Sequence, residues 1–297
     1  MKKVIFKGCG TAIITPFTEK GVNFEEFKKM IEFQIENHAD AIIVCGTTGE
    51  SSTMTEQERK ETIKFAVEVA NKRIPIIAGT GGNCTATAIE MSKYAESVGA
   101  DGVLIVTPYY NKTTQEGLVA HYKAIAKSIK LPIILYNVPG RTGLNITPQT
   151  CLELSKINNI VAIKEASGNL SQIAEIAALC RDNLTIYSGN DDQILPILSL
   201  GGKGVISVLS NLIPEDVHNM IKYFEEGKIK EATKLQLDTL SLTKALFSEV
   251  NPIPIKAACN MFGFNAGIPR LPLIEMSKSG KEKLKEEMKK YGLKVRG

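Results

Sequence analysis

Short hydrophobic runs alternate with longer segments of helical periodicity along most of the chain. Eight runs predict strands, at 10–15, 41–46, 74–79, 102–107, 132–137, 160–166, 185–189 and 204–208. Near-continuous hydrophobic runs of this length are typical of parallel strands that are buried on both faces. The segments between them place apolar residues at helical spacing, as in Ile63, Ala66, Val67 and Ala70.

Helix-start signals support this division. Thr55 with Glu58 has the spacing of a capping box, and Pro148 and Pro214 fall at first helical positions. Parallel strands need helical crossovers, so the alternation predicts an α/β fold, a (β/α)8 TIM barrel over residues 1–226. A doubly wound open sheet is the alternative, but no Gly-x-Gly-x-x-Gly turn follows the first strand. Residues 227–297 predict an appended region, helical throughout, that covers the barrel or meets another subunit.

The sixth run contains a lysine, Lys164, which is followed by Glu165. An ammonium group in a buried strand costs several kcal/mol unless it is paired or neutral, and desolvation lowers the pKa of an amine. Two interpretations follow. Lys164 is either a nucleophile that forms a Schiff base with a carbonyl substrate, or a structural residue that is salt-bridged to Glu165 or a neighbour.

Other polar residues collect at the carboxyl ends of the strands, where barrel enzymes carry their active sites. The turn 46–49, Gly-Thr-Thr-Gly, offers hydroxyl and N–H groups to a carboxylate, or is an ordinary strand-to-helix turn. Tyr136 lies on the strand beside Lys164 and either relays protons or packs as an amphipathic residue. Arg141 either clamps a carboxylate or is a solvated loop residue.

The sequence predicts no metal site. Asp191 and Asp192 are adjacent carboxylates, but few others fall at strand ends, which disfavours magnesium. Gly201, Gly202 and Gly204 match either a phosphate site after the last strands or a turn, and a turn is favoured.

Composition excludes several classes of protein. The net charge of +4 is spread along 297 residues rather than gathered in a stripe, which disfavours nucleic-acid binding. No apolar run approaches the roughly 18 residues of a membrane span. Six cysteines are scattered without a Cys-x-x-Cys pair, which predicts a reducing, cytoplasmic location.

Taken in order, the motifs resemble the dihydrodipicolinate synthase (4-hydroxy-tetrahydrodipicolinate synthase) family of pyruvate-dependent class I aldolases, whose wider group includes N-acetylneuraminate lyase. The likeness covers nearly the whole chain, including 251–256 and 270–273 near its end. The motifs are Gly46-Thr47-Thr48-Gly49-Glu50, Thr107-Pro108-Tyr109-Tyr110, Tyr136-Asn137-Val138-Pro139, Arg141-Thr142-Gly143 and Ile163-Lys164-Glu165. The double threonine and the Arg-Thr-Gly favour the synthase over sialic-acid lyases and sugar-acid aldolases.

The resemblance implies a reaction without a cofactor. Lys164 would form a covalent imine with pyruvate, which would then condense with L-aspartate 4-semialdehyde to give 4-hydroxy-tetrahydrodipicolinate. This is the first committed step of diaminopimelate and lysine biosynthesis. Tyr136, Thr48 and Tyr110 would relay protons as catalytic residues. Tyr110 would come from a neighbouring subunit of a homo-oligomer, expected to be a tetramer built as a dimer of dimers.

The resemblance also assigns substrate contacts. Thr47 and Thr48 would hold the pyruvate carboxylate, and Arg141 the carboxylate of the semialdehyde. Gly189 and Ile206 would line the pocket through their backbones. The alternative from another functional class is a non-catalytic barrel that senses a keto acid. It is disfavoured because a binding protein has no use for a nucleophilic lysine.

The chain departs from the family pattern at the positions that bind lysine as a feedback inhibitor. The effector positions of the family are matched by Ser51, Asn83 and Tyr109, but two histidines are replaced by Glu56 and Arg59, and a glutamate by Thr87. The missing carboxylate is the natural partner of an effector's amino groups. The resemblance therefore predicts that lysine inhibits weakly or not at all.

Overall fold

A computed structural model describes residue 2 and residues 4–296, and its centre is a closed barrel of eight parallel strands. The first strand pairs with both the second and the last strand of the barrel, which closes the sheet and confirms the (β/α)8 prediction over the doubly wound alternative. The barrel strands are β1 Gly8–Ala12, β4 Ala41–Val44, β5 Ile76–Gly79, β6 Gly102–Val106, β7 Ile133–Asn137, β8 Ile160–Glu165, β9 Thr185–Ser188 and β10 Gly204–Ser207.

Helices connect successive strands on the outside of the barrel, and their caps follow the sequence signals. Thr55 and Glu58 form the capping box, and Pro148 and Pro214 begin their helices. The helices up to the last strand are α1 Phe24–Glu36, α2 Glu56–Ala70, α3 Thr85–Ser97, α4 Gln115–Ser128, α5 Pro139–Thr142, α6 Pro148–Leu154, α7 Leu170–Cys180 and α8 Ile194–Ser199; α9 Pro214–Glu225 follows it.

A short hairpin and a short helix lie outside the predicted elements. A hairpin of β2 Phe17–Thr18 and β3 Gly21–Val22 follows the first barrel strand, and the four-residue helix α5 follows β7. Each strand of the hairpin has two residues and the helix has four, which is too short for a hydrophobic pattern to repeat recognisably.

The C-terminal region contains four helices, α10 Ile229–Asp238, α11 Leu240–Leu246, α12 Ile253–Phe262 and α13 Lys278–Lys290. The expectation of helix throughout is wrong for residues 247–252 and 263–277, which form turns, bends and irregular backbone. Gly263 takes a positive φ of 124° directly after α12, a conformation that ends helices. The division at residue 226 stays a prediction; α9 ends at Glu225 and α10 begins at Ile229.

The barrel interior and the helix layer form two separate hydrophobic clusters. Along β8, Ile160 and Ile163 pack in the outer cluster, whereas Val161 and Ala162 pack in the inner one. The pairing of β7 with β8 shifts register at this point, because Ile133 faces Ile160 while Ile134 faces Ala162. Among the described residues, no helix is both long enough and apolar enough to traverse a bilayer.

A buried ion pair joins the C-terminal region to the barrel. Lys256 Nζ on α12 lies 2.5 Å from Glu50 Oε1, and both side chains are fully buried. The other oxygen of Glu50 accepts the Arg270 backbone N–H at 2.9 Å, and the Lys256 ammonium lies 4.1 Å from the centre of the Phe17 ring. Burial lowers the pKa of Lys256, and the Glu50 carboxylate opposes that shift. Removing either side chain would therefore leave the other as a buried charge without a counter-charge, which destabilises the fold.

Replacing Lys256 by methionine should destabilise the protein by about 3–5 kcal/mol, because Glu50 would remain buried without a counter-charge. Guanidinium chloride unfolding measures this difference. The double variant Glu50→Gln/Lys256→Met should recover much of the loss, since glutamine still accepts the Arg270 N–H but carries no charge. A single variant as stable as the parent protein would contradict the assignment, as would a double variant less stable than the single one.

Candidate active site

Lys164 projects into the barrel interior near the carboxyl end of β8. It is paired in register with Tyr136 on β7 and with Tyr187 on β9, and only 6% of its surface is exposed. Its Nζ lies 4.4 Å from the centre of the Tyr136 ring, a distance at which the ring face attracts a cation. Among the described residues, none forms a hydrogen bond or an ion pair with this amine. The geometry thus leaves the amine free to react.

Glu165 points the opposite way, into the helix layer. Its carboxylate accepts hydrogen bonds from Asn137 Nδ2 at 3.0 Å and from the Ser167 backbone N–H at 2.8 Å. Burial raises the pKa of Glu165, and these two donors oppose that shift. The structural alternative, in which Glu165 neutralises Lys164, is therefore wrong, because the strand itself separates the two groups.

The two tyrosines beside Lys164 have different environments. The Tyr187 hydroxyl donates to the Phe6 carbonyl at 2.6 Å, and the two rings stack with centroids 4.3 Å apart. Tyr187 therefore belongs to the barrel floor. Tyr136 lines a cavity of about 290 Å³ at the barrel mouth, which Thr47 and Arg141 also line. Of these two tyrosines, Tyr136 is therefore the one that lines a cavity able to hold a ligand.

The two adjacent threonines are also placed differently. Thr47 lines the cavity, whereas Thr48 is 3% exposed and its hydroxyl accepts a hydrogen bond from Asn251 Nδ2 at 3.1 Å. Arg141, on α5, lies at the cavity rim and donates to the Asn251 carbonyl at 3.2 Å. Asn251 therefore links the threonine turn to the arginine.

Asn251 has a role that reasoning from residue types missed. It lies in the appended region, more than 200 positions from Thr48, so no local spacing connects them. Its own side-chain oxygen is buried without a hydrogen-bond partner among the described residues. The only sequence signal was its place in the segment 251–256 that carries the family resemblance.

Gly189 and Ile206 are the two residues whose backbones were predicted to line the pocket. Gly189 follows β9, and its N–H donates to the Glu165 carbonyl at 2.8 Å. A Cβ atom at Gly189 would lie 2.6 Å from the Ala166 Cβ, so only glycine permits this approach to the strand of Lys164. Ile206 is fully buried in the barrel interior. Neither residue lines the cavity shared by Thr47 and Tyr136.

Tyr110 lies apart from the other predicted catalytic residues. It is 92% exposed and has a φ of 67°, which is rare for an aromatic residue. Asn83 fixes the loop on either side, since its side-chain oxygen accepts the Tyr109 N–H and its carbonyl accepts from Asn111. The chain thus holds an exposed tyrosine in a strained conformation, away from its own Lys164.

The weaker candidates have structural explanations. Asp191 is buried, and one carboxylate oxygen accepts the N–H groups of Val208 and Leu209, each at 3.0 Å. No group of three or more possible metal ligands occurs in the part of the chain that the structure describes. Gly201 takes a φ of 91° in the turn before β10, which fits the turn interpretation, whereas Gly204 is the first residue of that strand.

Three of the positions related to lysine inhibition line the same cavity. Ser51, Arg59 and Tyr109 line it. Glu56 is exposed on α2 and pairs with Lys60 at 2.5 Å. The carboxylate at this position is thus engaged by a neighbouring side chain.

Comparisons with known proteins agree along the whole chain. The profile of the Dihydrodipicolinate synthetase family matches residues 5–291. A protein of Clostridium acetobutylicum named 4-hydroxy-tetrahydrodipicolinate synthase 1 is 63% identical over 289 residues, which are 97% of this chain and 99% of that protein. A 4-hydroxy-tetrahydrodipicolinate synthase of Clostridium perfringens is 61% identical over 289 residues, with the same coverage.

Solved structures show the same likeness. The dihydrodipicolinate synthase of Aquifex aeolicus superposes with a TM-score of 0.96 at 46% identity, covering 98% of this chain and all of that one. A structure described as the first monomeric dihydrodipicolinate synthase variant has a TM-score of 0.95 at 42% identity, covering 97% of this chain and 98% of that one. Both the fold and the sequence therefore match one family over nearly their full length.

Proposed function

The chain belongs to the dihydrodipicolinate synthetase family, and we propose that Lys164 carries out its reaction through a covalent imine. That reaction is the condensation of pyruvate with L-aspartate 4-semialdehyde to 4-hydroxy-tetrahydrodipicolinate, the first step of diaminopimelate and lysine biosynthesis. The observation that carries the proposal is the buried Lys164 amine, which faces Tyr136 and has no hydrogen-bond or ion-pair partner among the described residues. A cytoplasmic location stays a prediction.

The proposed reaction forms an imine, then a carbon–carbon bond, and then closes a ring. The Lys164 amine adds to the keto carbon of pyruvate, and loss of one water gives the imine. The positive imine nitrogen accepts electrons as a methyl proton leaves, which forms an enamine. The enamine carbon attacks the aldehyde of the semialdehyde. The substrate amine then adds to the former keto carbon, closes the ring and displaces Lys164. No cofactor is required.

Carboxylate binding is assigned to two groups at the mouth. The turn of Thr47 and Thr48 would hold the pyruvate carboxylate through its N–H groups. Arg141 would hold the carboxylate of the semialdehyde, since its guanidinium lines the cavity and makes only one hydrogen bond, to the Asn251 carbonyl, among the described residues. The backbones of Gly189 and Ile206 remain candidates for the floor of the pyruvate site.

The proton relay needs one change from the sequence-based assignment, which used the Thr48 hydroxyl. That hydroxyl already accepts a hydrogen bond from Asn251, whereas Thr47 lines the cavity that Tyr136 also lines. We therefore assign the relay to Tyr136 and Thr47, with Tyr110 of a second subunit. Thr48 keeps a positioning role through Asn251.

The expectation of weak inhibition by lysine also remains a prediction. Its support is that Glu56 is paired with Lys60 and that Arg59 places a positive charge at the cavity. A positive wall disfavours an effector that carries two amino groups.

Reduction with borohydride in the presence of pyruvate should add a stable adduct to Lys164, because the imine is trapped as a secondary amine. Mass mapping of peptides locates it. Lys164→Arg retains the charge but cannot form the imine, so it should take up no adduct and lose activity. An adduct on another residue, or full activity in the variant, would overturn the proposal.

Thr47→Val should lower kcat by about 10²-fold or more, the usual contribution of a positioned acid–base group. Thr48→Val should act mainly on stability, by about 1 kcal/mol, because it removes the acceptor for Asn251. Steady-state kinetics and urea unfolding of both variants separate the two effects. A Thr48→Val enzyme that is stable but slower than Thr47→Val would restore the original assignment.

Tyr110 should act across a subunit interface. Tyr110→Phe and Lys164→Ala should each be slow, and reassembling a mixture of them should restore about a quarter of the activity of the parent enzyme, because mixed dimers contain one complete site. Coupled assays before and after mixing measure the gain. No recovery, or an active enzyme that sediments as a monomer, would contradict the shared site.

A further inference from the structure

Several buried carboxylate and ammonium groups need compensation inside the protein. Among the described residues, these groups belong to Glu26, Glu50, Glu165, Asp191, Lys164 and Lys256. A buried charge destabilises the fold unless an opposite charge and hydrogen bonds compensate it. The partners of these groups therefore show which buried charges are already balanced.

Three of the carboxylates are accounted for without the lysine of β8. Glu26 Oε2 lies 3.2 Å from Lys29 Nζ, and Glu50 pairs with Lys256. Glu165 points into the helix layer, where a side-chain amide and a backbone N–H donate to its carboxylate. Within the part of the chain that the structure describes, one carboxylate and one ammonium group remain to be matched.

Asp191 and Lys164 are the remaining groups, and the fold brings them to the same end of the barrel. The N–H of Gly189 donates to the carbonyl of the last residue of β8 at 2.8 Å, so the chain that leaves β9 stays beside the strand of Lys164. Two residues later, one Asp191 oxygen accepts the N–H groups of Val208 and Leu209, which follow β10. Asp191 therefore lies at the carboxyl ends of β9 and β10, next to the strand that carries the amine.

The two charges attract each other without direct contact. No ion pair joins them among the described residues, so more than 4 Å separates Lys164 Nζ from the Asp191 oxygens. Burial raises the pKa of Asp191, whereas the Val208 and Leu209 N–H groups and the Lys164 ammonium oppose that shift. Because little water screens charges in this interior, the attraction extends further than it would at the surface.

The other titratable groups near Asp191 and the lysine supply no competing charge. Tyr136 and Tyr187 lie beside the lysine on β7 and β9, and a phenol is neutral at pH 7. On its outer side Asp191 lines a surface cavity together with Asp192 and Lys244. Both of these side chains are exposed, so solvent and salt screen their charges. The lysine of β8 is thus the buried positive charge available to Asp191.

We propose that Asp191 is the counter-charge of Lys164 and a positioning residue for the proposed reaction. When the Lys164 ammonium and the keto carbon of pyruvate form the iminium, the keto oxygen leaves as water with two of the nitrogen's protons. The nitrogen keeps its positive charge, so the same carboxylate stabilises it before and after the carbon–nitrogen bond forms. The inference rests on the proposed function for the iminium, but not for the ammonium group.

Urea unfolding of the substrate-free, full-length enzyme at low salt tests this pairing through a double-mutant cycle. Asp191→Asn keeps an acceptor for the two N–H groups but removes the charge, so it should lower the unfolding midpoint of the parent protein. In a Lys164→Met background the same substitution should cause no loss, because no buried ammonium group then needs the carboxylate. Asp192→Asn removes an exposed charge from the next position and should act equally in both backgrounds.

Equal losses from Asp191→Asn in both backgrounds would overturn the proposal, because the carboxylate would then serve only its hydrogen bonds. If Asp191→Asn does not fold, Lys164→Met alone decides. Its loss of stability relative to the parent should shrink as the pH falls from about 8 to about 5. The reason is that the unmatched Asp191 carboxyl, whose pKa burial raises, takes up a proton. A loss that stays constant or grows at acidic pH would contradict the pairing.

The pH dependence of borohydride trapping with pyruvate extends the test to the reaction. The Asp191 charge favours the ammonium form, whereas only the neutral amine adds to pyruvate. Asp191→Asn should therefore move the pH midpoint of trapping downward by about one pH unit, the usual effect of losing a neighbouring opposite charge, and Asp192→Asn should not move it. An unchanged or raised midpoint would reject the role in the reaction. Coupling in the unfolding cycle of an enzyme that forms no adduct would reject the proposed chemistry alone.

Discussion

The ion pair between Glu50 and Lys256 is the constraint on which the arrangement of the mouth depends. Glu50 has left-handed backbone geometry, with a φ of 54°, at the end of the turn that carries the two threonines. Its carboxylate is fully buried against α12. A buried charge tolerates little displacement from its partner, so the pair fixes the turn relative to the C-terminal region. The appended helices are therefore part of the site, not only a cover for the barrel.

This connection explains why the site draws on three parts of the molecule. The barrel interior supplies Lys164 and Tyr136, which are neighbours in register. The appended region supplies Asn251, which comes two residues before α12 and contacts both Thr48 and Arg141. The third part is proposed to be Tyr110 of another subunit, which the isolated chain holds in solvent.

The hydrophobic pattern predicted the barrel well because its information is local. Each strand run fell on an observed strand, although β1 begins two residues earlier than expected. The features that the sequence did not predict depend on long-range contacts or on single dihedral angles. Glu50 meets Lys256 across 206 positions, and no spacing rule reaches that far. Which of two adjacent threonines faces the cavity is set by the geometry of the turn, and a sequence pattern carries no record of it. The resemblance predicted the roles of residues, but it did not predict their burial or their hydrogen-bond partners.

The direction of Lys164 depends on a local irregularity in its strand. Ile160 faces the helices, and both Val161 and Ala162 face the interior, so the strict alternation of sides is broken between them. Had the alternation continued from Ile160 without this break, Lys164 would lie among the helices and Glu165 would project into the barrel. The extra inward residue thus decides whether the barrel contains an amine or an acid. The irregularity matters to the chemistry as much as the identity of the lysine, because a strand that regained strict alternation at constant length would exchange the two groups without changing either.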